Sequence, residues 1–287
     1  MSTQTVQPRQ SATANPTQQR GPLPENVYKN TFLRSLRSEI RKLTTLKSTW
    51  YTLSIWLAMG ILITWGMTAS LSDGTGNING VNVKGEFHPI FVTGSSQLYA
   101  IFAMVLGALA VTSEYSSNTM RTTIVSQTSR SRAYSAKIAG ITVVLGIATA
   151  VIIVILTVIA LLAGGLSWHG GDGNLRALIF FWLACVLTSL LTTGAGYIFR
   201  STAGAIVTGF VTLILSQLLI LIPLDFFRET LPKYLPSGLT AGMTATDTTN
   251  PTQFYDNLGP NLAAVLWFGY VVVFLVLGFI KYKKADA

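Results

Sequence analysis

Charged residues are scarce in this sequence: they make up 11% of 287 residues, whereas an ordinary soluble domain has about 25%. Half of the residues are hydrophobic, and the interiors of the long apolar runs contain no Lys, Arg, Asp, Glu or His. This composition predicts an integral membrane protein. It also disfavours an ion-coupled transporter, because such a protein binds its coupling proton on an ionisable side chain inside the membrane.

Cysteine and recognisable catalytic motifs are missing as well. The single cysteine, Cys185, lies in an apolar run, so we expect a buried apolar side chain and no disulfide framework. No G-x-x-x-x-G-K-[ST] segment is present for binding ATP. His169 and Asp172 on a glycine-rich turn are too few ligands to predict a metal site. We therefore expect this chain not to be an enzyme and to hold no cofactor or metal.

The amino-terminal part divides into a tail and a helix. Residues 1–28 are rich in Gln, Thr, Ser, Asn and Pro, which predicts a disordered cytoplasmic tail. Residues 30–47 show the periodicity of an amphipathic helix that lies in the membrane surface. Its arginines, Arg34, Arg37 and Arg41, are predicted to contact anionic lipid or a cytoplasmic partner. Its apolar side is formed by Phe32, Leu33, Leu36, Ile40 and Leu43.

Six apolar segments follow, and each has roughly the 20 residues that a helix needs to cross about 30 Å of hydrocarbon. The runs are continuous rather than alternating, so they predict helices and not the strands of a barrel. We expect an all-α membrane protein with a six-helix domain over residues 49–284. The predicted spans are 49–71, 89–113, 138–166, 177–199, 203–224 and 261–280.

The distribution of positive charge predicts the orientation. With the amino terminus inside, 16 of the 20 Lys and Arg residues lie on the cytoplasmic side, as the positive-inside rule requires. Both termini are then cytoplasmic. The same rule accounts for the net charge of +9, so we expect no nucleic-acid partner.

A charged segment, residues 113–137, separates the second and third spans. Met120, Ile124 and Val125 are expected to form a short apolar knob surrounded by arginines, which suits a groove on a partner protein. Ser129 or Ser131 would cap a turn that runs through Lys137 into the third span. The alternative interpretation is a basic loop that only sets the topology.

The longest outer connection, residues 225–260, has two parts. Residues 225–236 mix aromatic and charged residues, as an interfacial or re-entrant helix does, and residues 240–253 are predicted to be flexible. An outer gate and a plain surface lid both fit this pattern. Neutral polar side chains in the second and fifth spans line a pathway or, as we favour, hydrogen-bond between helices. They are Gln97, Tyr99, Thr208, Thr212, Ser216 and Gln217.

The loop 113–137 has the form E-Y-x-x-x-T-x-R followed by S-R and K. Six spans, a basic amphipathic helix and this loop resemble the permeases of type-2 ATP-binding-cassette (ABC) transporters over residues 30–284. The motif is carried by Glu114, Tyr115, Thr119, Arg121, Ser129, Arg130 and Lys137. The sequence departs from the family pattern at Asn118, where Gly is frequent, and at Gln127 and Thr128, where Pro is frequent.

The resemblance implies that this loop is a coupling helix docked on a separate ABC ATPase, which binds ATP and Mg²⁺. It also implies a second permease chain, identical or similar, and export of an apolar or amphipathic substrate across a plasma (inner) membrane. The alternative is a non-transporting membrane scaffold or regulator that recruits a cytoplasmic partner. The residues implied in coupling are Glu114, Tyr115, Thr119, Met120, Arg121, Ile124, Arg130 and Arg132.

Overall fold

The computed structural model describes residues 31–72, 77–78, 81–82, 85–94, 96–117, 129–168, 172–246 and 256–284. The predicted tail, residues 1–28, lies outside these ranges. Within them, six helices are long and apolar enough to cross a membrane, which confirms the predicted helical architecture of a multi-pass membrane protein. These spans are α2 (Lys47–Ser72), α4 (Ser96–Ser116), α5 (Arg130–Gly164), α6 (Asp172–Phe199), α7 (Thr202–Ile220) and α9 (Pro260–Lys283).

Shorter elements precede and connect the spans. Helix α1 (Phe32–Thr45) leads into α2, and the two-residue strands β1 (Asn77–Ile78) and β2 (Val81–Asn82) pair antiparallel after it. Helix α3 (Ile90–Thr93) precedes α4, and α8 (Pro236–Thr244) precedes α9. Helix α1 lies within residues 30–47, where the periodicity predicted a helix, and its position in a membrane surface stays a prediction.

Two predicted spans begin at other residues than the helices that contain them. The second span was expected from residue 89, whereas α3 ends at Thr93 and α4 begins at Ser96. Gly94 follows α3, and glycine is a poor helix former. The third span was expected from residue 138 and is contained in α5, which begins at Arg130. Ser129 precedes α5 in the extended conformation of an N-cap residue, as the sequence predicted for Ser129 or Ser131.

Helix α6 lies at the centre of the bundle, since 67% of its apolar stretch is buried. It packs closely against α4, where a Cβ added to Gly107 would lie 2.0 Å from the carbonyl oxygen of Ser189. It packs as closely against α9, where a Cβ on Gly194 would lie 2.8 Å from the backbone of Phe274. Small residues thus let backbones approach in a membrane, where the hydrophobic effect does not drive helices together.

Because the spans alternate in direction, the bundle has two ends. One end carries α1, the starts of α5 and α7 and the ends of α4, α6 and α9; we call it the basic end, because Lys281, Lys283 and Lys284 lie there. The opposite end, which we call the far end, carries the connections that follow α2, α5 and α7. There the backbone nitrogen of Phe87 donates to the carbonyl of Ser167 at 3.0 Å.

Helix α8 corrects the expectation that residues 240–253 are flexible. Its residues Leu239 and Met243 are fully buried, and it packs against α9, α6 and α7. Gly238 lies close to the backbone of Pro232: a Cβ added to Gly238 would lie 2.1 Å from the carbonyl oxygen of Pro232. Residues 247–255 lie outside the described chain. The connection after α7 is therefore a packed element over residues 236–244, preceded by short helical turns at Phe226–Thr230 and Pro232–Tyr234.

The buried residue His88 connects the far end to the segment that follows α8. His88 is 9% exposed; its Nδ1 accepts a hydrogen bond from the backbone nitrogen of Ile90 at 3.2 Å, and its Nε2 lies 3.1 Å from Thr246 Oγ1. Burial lowers the pKa of His88 below its ordinary value. A proton on Nδ1 would also displace the Ile90 hydrogen bond. Both effects favour the neutral form of His88.

We expect this protein to lose stability as the pH falls below about 6.5, the ordinary pKa of histidine. Unfolded His88 binds a proton more readily than folded His88, so acid favours the unfolded state. Melting temperatures of the purified protein at pH 7 and pH 5 measure the effect. His88→Gln should remove much of the difference, whereas His169→Gln, at the only other histidine, should keep it. An unchanged difference in His88→Gln would contradict this assignment.

Candidate functional site

Four charged side chains meet at the basic end, where α1 contacts the end of α4 and the start of α5. Lys137 Nζ of α5 lies 3.0 Å from Glu39 Oε2 of α1 and 2.6 Å from Glu114 Oε1 of α4. Lys42 Nζ of α1 lies 2.7 Å from Glu39 Oε1 and 3.0 Å from Glu114 Oε1. We call these four residues the charge cluster.

The sequence of α1 and α5 explains why the cluster forms here. Ser35, Glu39 and Leu43 are spaced by four residues and form the buried face of α1. Opposite them, Gly140 lets the two helices approach, since an added Cβ would lie 3.1 Å from Glu39 Cβ. Lys137 is three residues before Gly140 and thus lies on the same face of α5. Helix α1 therefore docks on the bundle through an acidic residue.

The cluster is buried and electrically balanced. Glu39, Glu114 and Lys137 are only 3%, 8% and 5% exposed, and two carboxylates face two ammonium groups. Lys42 is the member that reaches solvent. Its burial disfavours the charged form, but the hydrogen bond that Lys42 donates to Glu39 and the charges of Glu114 and Glu39 outweigh this, so the pKa of Lys42 is raised. The structure therefore stabilises charged Lys42.

An aromatic cluster adjoins the charge cluster and joins four spans. The rings of Tyr134 and Tyr197 are 4.8 Å apart, and Tyr134 lies 5.8 Å from Tyr282. Tyr115, next to Glu114 in the chain, contacts Tyr197 edge-on at 6.4 Å. The Tyr134 hydroxyl donates to the carbonyl of Leu275 at 2.7 Å. These contacts connect the ends of α4, α6 and α9 with the start of α5.

The structure fixes both ends of the loop 113–137. Glu114 is buried in the charge cluster, and Tyr115 is half-buried in the aromatic cluster, so neither side chain lies open on the surface. Arg130 Nη1 donates to the carbonyl of Lys283 at 2.8 Å, and Arg132 is half-buried. The other predicted coupling residues lie outside the described chain: Thr119, Met120, Arg121 and Ile124.

The three arginines of α1 are exposed on the side away from Glu39. They lie along a shallow, open depression of about 470 Å³ that also involves Ser38, Lys42 and Thr45. At the start of the helix, Leu33 is 72% exposed and is thus not covered by the bundle. This arrangement leaves a basic side and an apolar edge on α1. The basic side is formed by Arg34, Arg37 and Arg41, and the apolar edge by Phe32 and Leu33.

The six neutral polar residues do not form one group. Gln97 and Gln217 are exposed, whereas Tyr99 is buried and its ring lies 5.6 Å from that of Phe181. Two hydroxyls bond to their own helix: Thr208 to the Gly204 carbonyl at 2.8 Å and Thr212 to the Gly209 carbonyl at 2.7 Å. The hydroxyl of Ser216 contacts that of Ser237 in α8. Ser216 thus makes an interhelical hydrogen bond of the kind favoured from the sequence, whereas Thr208 and Thr212 bond within their own helix.

Sequence reasoning missed Glu39 and Lys42. Glu39 is the only acidic residue in α1, a helix with three arginines and a lysine. A single acidic residue in a basic helix was the available signal that Glu39 has a role. It does not identify the partners, because Glu114, which pairs with Lys42, is 72 residues away in the chain. Only the packing of α1 on the bundle brings them together.

The described residues contain no group of three His, Cys, Asp or Glu side chains that could hold a metal ion. His169 lies outside the described chain. The charge cluster instead joins α1 to the helices on both sides of the loop 113–137 through ion pairs.

Comparison with known proteins gives a family without an assigned role. A family model described as protein of unknown function (DUF2705) matches residues 86–287, which include all spans except α2. No curated protein matches the sequence.

Proposed function

We propose that this chain, which belongs to the DUF2705 family, is the membrane-spanning permease subunit of an ABC transporter. In this proposal a separate ATPase subunit binds ATP and Mg²⁺ and docks on the loop 113–137. The substrate is apolar or amphipathic and is exported. The observation that carries the proposal is the charge cluster, because it joins three elements that such an ATPase would have to move together.

The ion pairs offer a route for that movement. Glu39 and Lys42 lie on α1, Glu114 at the end of α4 and Lys137 near the start of α5, and one displacement of the loop would act on all three helices. Buried ion pairs resist separation, because a buried charge without its partner is costly. A push on the loop or on the exposed arginines of α1 would therefore shift spans rather than a single side chain.

The orientation is part of the proposal. Lys281, Lys283 and Lys284 lie at the same end as the charge cluster and as most basic residues of the sequence, which by the positive-inside rule is the cytoplasmic side of a plasma (inner) membrane. The ATPase would meet the permease there. A second permease chain, identical or similar, would complete the pathway, and exposed apolar side chains on α7 such as Val211 and Leu218 would face it or lipid.

The test is to purify the tagged chain gently from its native membrane and to measure ATP hydrolysis. We expect a stoichiometric partner that carries a G-x-x-x-x-G-K-[ST] segment, together with hydrolysis. A chain that repeatedly purifies without any ATPase would overturn the proposal. A different cytoplasmic partner would then favour the alternative, a membrane scaffold that recruits proteins through the same loop.

The coupling role is tested by reversing Arg121 and Arg130 to Glu. We expect transport and substrate-stimulated ATP hydrolysis to be lost while the permease remains folded, because the hydrogen bond from Arg130 to the Lys283 carbonyl contributes only about 1.5–3 kcal/mol. The matched control is the reversal of Lys281 and Lys284, which changes the same charge at the same end outside the loop. Normal transport in the Arg121 and Arg130 variant would refute coupling through these residues.

A further inference from the structure

An apolar groove of about 360 Å³ runs along the outside of α5 and α6 in the far half of the bundle. Its size lies within the range of about 300–1,000 Å³ that is usual for small-molecule sites. The rims are formed by Val154 of α5 and Ile179 of α6, which are 61% and 52% exposed. The groove therefore opens sideways, toward the membrane interior, rather than toward the centre of the bundle.

The walls of the groove accept only a hydrocarbon. Its two deep polar side chains are already bonded: Thr157 Oγ1 donates to the carbonyl of Ile153 at 2.8 Å, and Trp182 Nε1 donates to the carbonyl of Gly146 at 2.7 Å. The remaining wall consists of aliphatic side chains, Ala150 and the aromatic ring of Trp168. A ligand with polar groups in this position would lose its hydrogen bonds to water without replacement, which is costly.

The groove fits within one leaflet of a bilayer. Its lining positions on α5 run from Ala150 to Val158, which is about 12 Å at 1.5 Å per residue. The hydrocarbon half of one leaflet is about 15 Å thick. Trp168 lies at the mouth, where its ring stacks on Phe87 at 5.0 Å. Tryptophan is enriched at this depth, at the border of headgroups and acyl chains.

From this geometry we propose that the groove is a specific site for one acyl chain of a phospholipid in the leaflet at the far end. The chain lies between α5 and α6, with its end against Trp182 and its ester region beside Trp168. A transmembrane helix of a second copy fits less well, because such a helix crosses both leaflets and the groove occupies one. The inference depends on the six spans and not on the proposed transport function.

Photo-crosslinking tests the site. Replacing Ile179 with p-benzoylphenylalanine places the reactive group on the rim, and the same replacement of Val151 is the control, because Val151 is 52% exposed on α5 but does not line the groove. After purification in mild detergent and irradiation, we expect a phospholipid adduct in the intact mass at Ile179. It should exceed the adduct at Val151 about tenfold, the ratio given by a preference of about 1.4 kcal/mol.

Filling the groove provides the second measurement. Val154→Trp should lower the adduct at Ile179 about tenfold, whereas Val151→Trp should leave it unchanged. Equal phospholipid adducts at both sites would mean ordinary boundary lipid and would overturn the proposal. Detergent adducts alone, or a crosslink between two chains at Ile179, would overturn it as well.

Discussion

Replacing Lys137 with Met is expected to destabilise the folded protein by about 3–5 kcal/mol. Lys137 is 5% exposed and bridges two buried carboxylates, those of Glu39 and Glu114. Without it, both carboxylates depend on Lys42, which is half in solvent, and their mutual repulsion is no longer offset. Removal of one partner from a buried ion pair leaves a charge that neither water nor protein compensates.

Thermal unfolding of the purified protein measures this loss, and two further variants make the result specific. Lys47→Met removes an exposed lysine at the same end and should change stability by less than about 0.5 kcal/mol. The triple variant with Glu39→Gln, Glu114→Gln and Lys137→Met removes the three buried charges together, leaves only the half-exposed Lys42, and should regain most of the loss. A single Lys137→Met variant as stable as the natural protein would show that the cluster does not hold α1 on the bundle.

Gly107→Ala is expected to cost about 3 kcal/mol, the upper part of the usual range for overpacking. The new Cβ would lie 2.0 Å from the carbonyl oxygen of Ser189 and 2.5 Å from Thr192 Oγ1. The obstacle is the backbone of α6, which cannot rotate away as a flexible side chain does. Helices α4 and α6 would have to separate, and the hydrogen bond from Thr193 Oγ1 to the Gly107 carbonyl, now 3.0 Å, would weaken.

The matched control for this change is Gly269→Ala in α9, where an added Cβ meets nothing within 4 Å. Alanine there should be neutral or stabilise by up to about 1 kcal/mol, because glycine is a poorer helix former. Both variants are compared by melting temperature and by yield of monodisperse protein. Equal melting temperatures for the two variants would mean that α4 and α6 are not in close contact at Gly107.

The spans were predictable because crossing a membrane is a local property of an apolar run. The boundaries were less predictable wherever a helix continues past its apolar stretch. Arg130 and Lys137 were placed outside the third span, in the charged segment 113–137. Both lie in α5, where tertiary partners satisfy them: the Lys283 carbonyl for Arg130 and two glutamates for Lys137. Hydropathy alone does not record such partners.

The connection 225–260 shows the same limit. Residues 240–244 have a high content of Thr and Gly, and local propensity predicts flexibility there. In the structure they continue α8, because Leu239 and Met243 are buried among α6, α7 and α9. Burial of these two side chains outweighs a weak helix propensity, which is a small energy per residue.

The sequence by itself determined the membrane class, six helical spans, the helical periodicity of α1 and the concentration of positive charge at one end, since each depends on residues close together in the chain. Only the tertiary structure decided that Glu39 of α1 meets Glu114 and Lys137, that α8 is buried and that an apolar groove lies between α5 and α6. Each of these contacts joins residues far apart in sequence. The physical reason is that these contacts stabilise the protein only when they are buried, and they become buried only once the helices have packed.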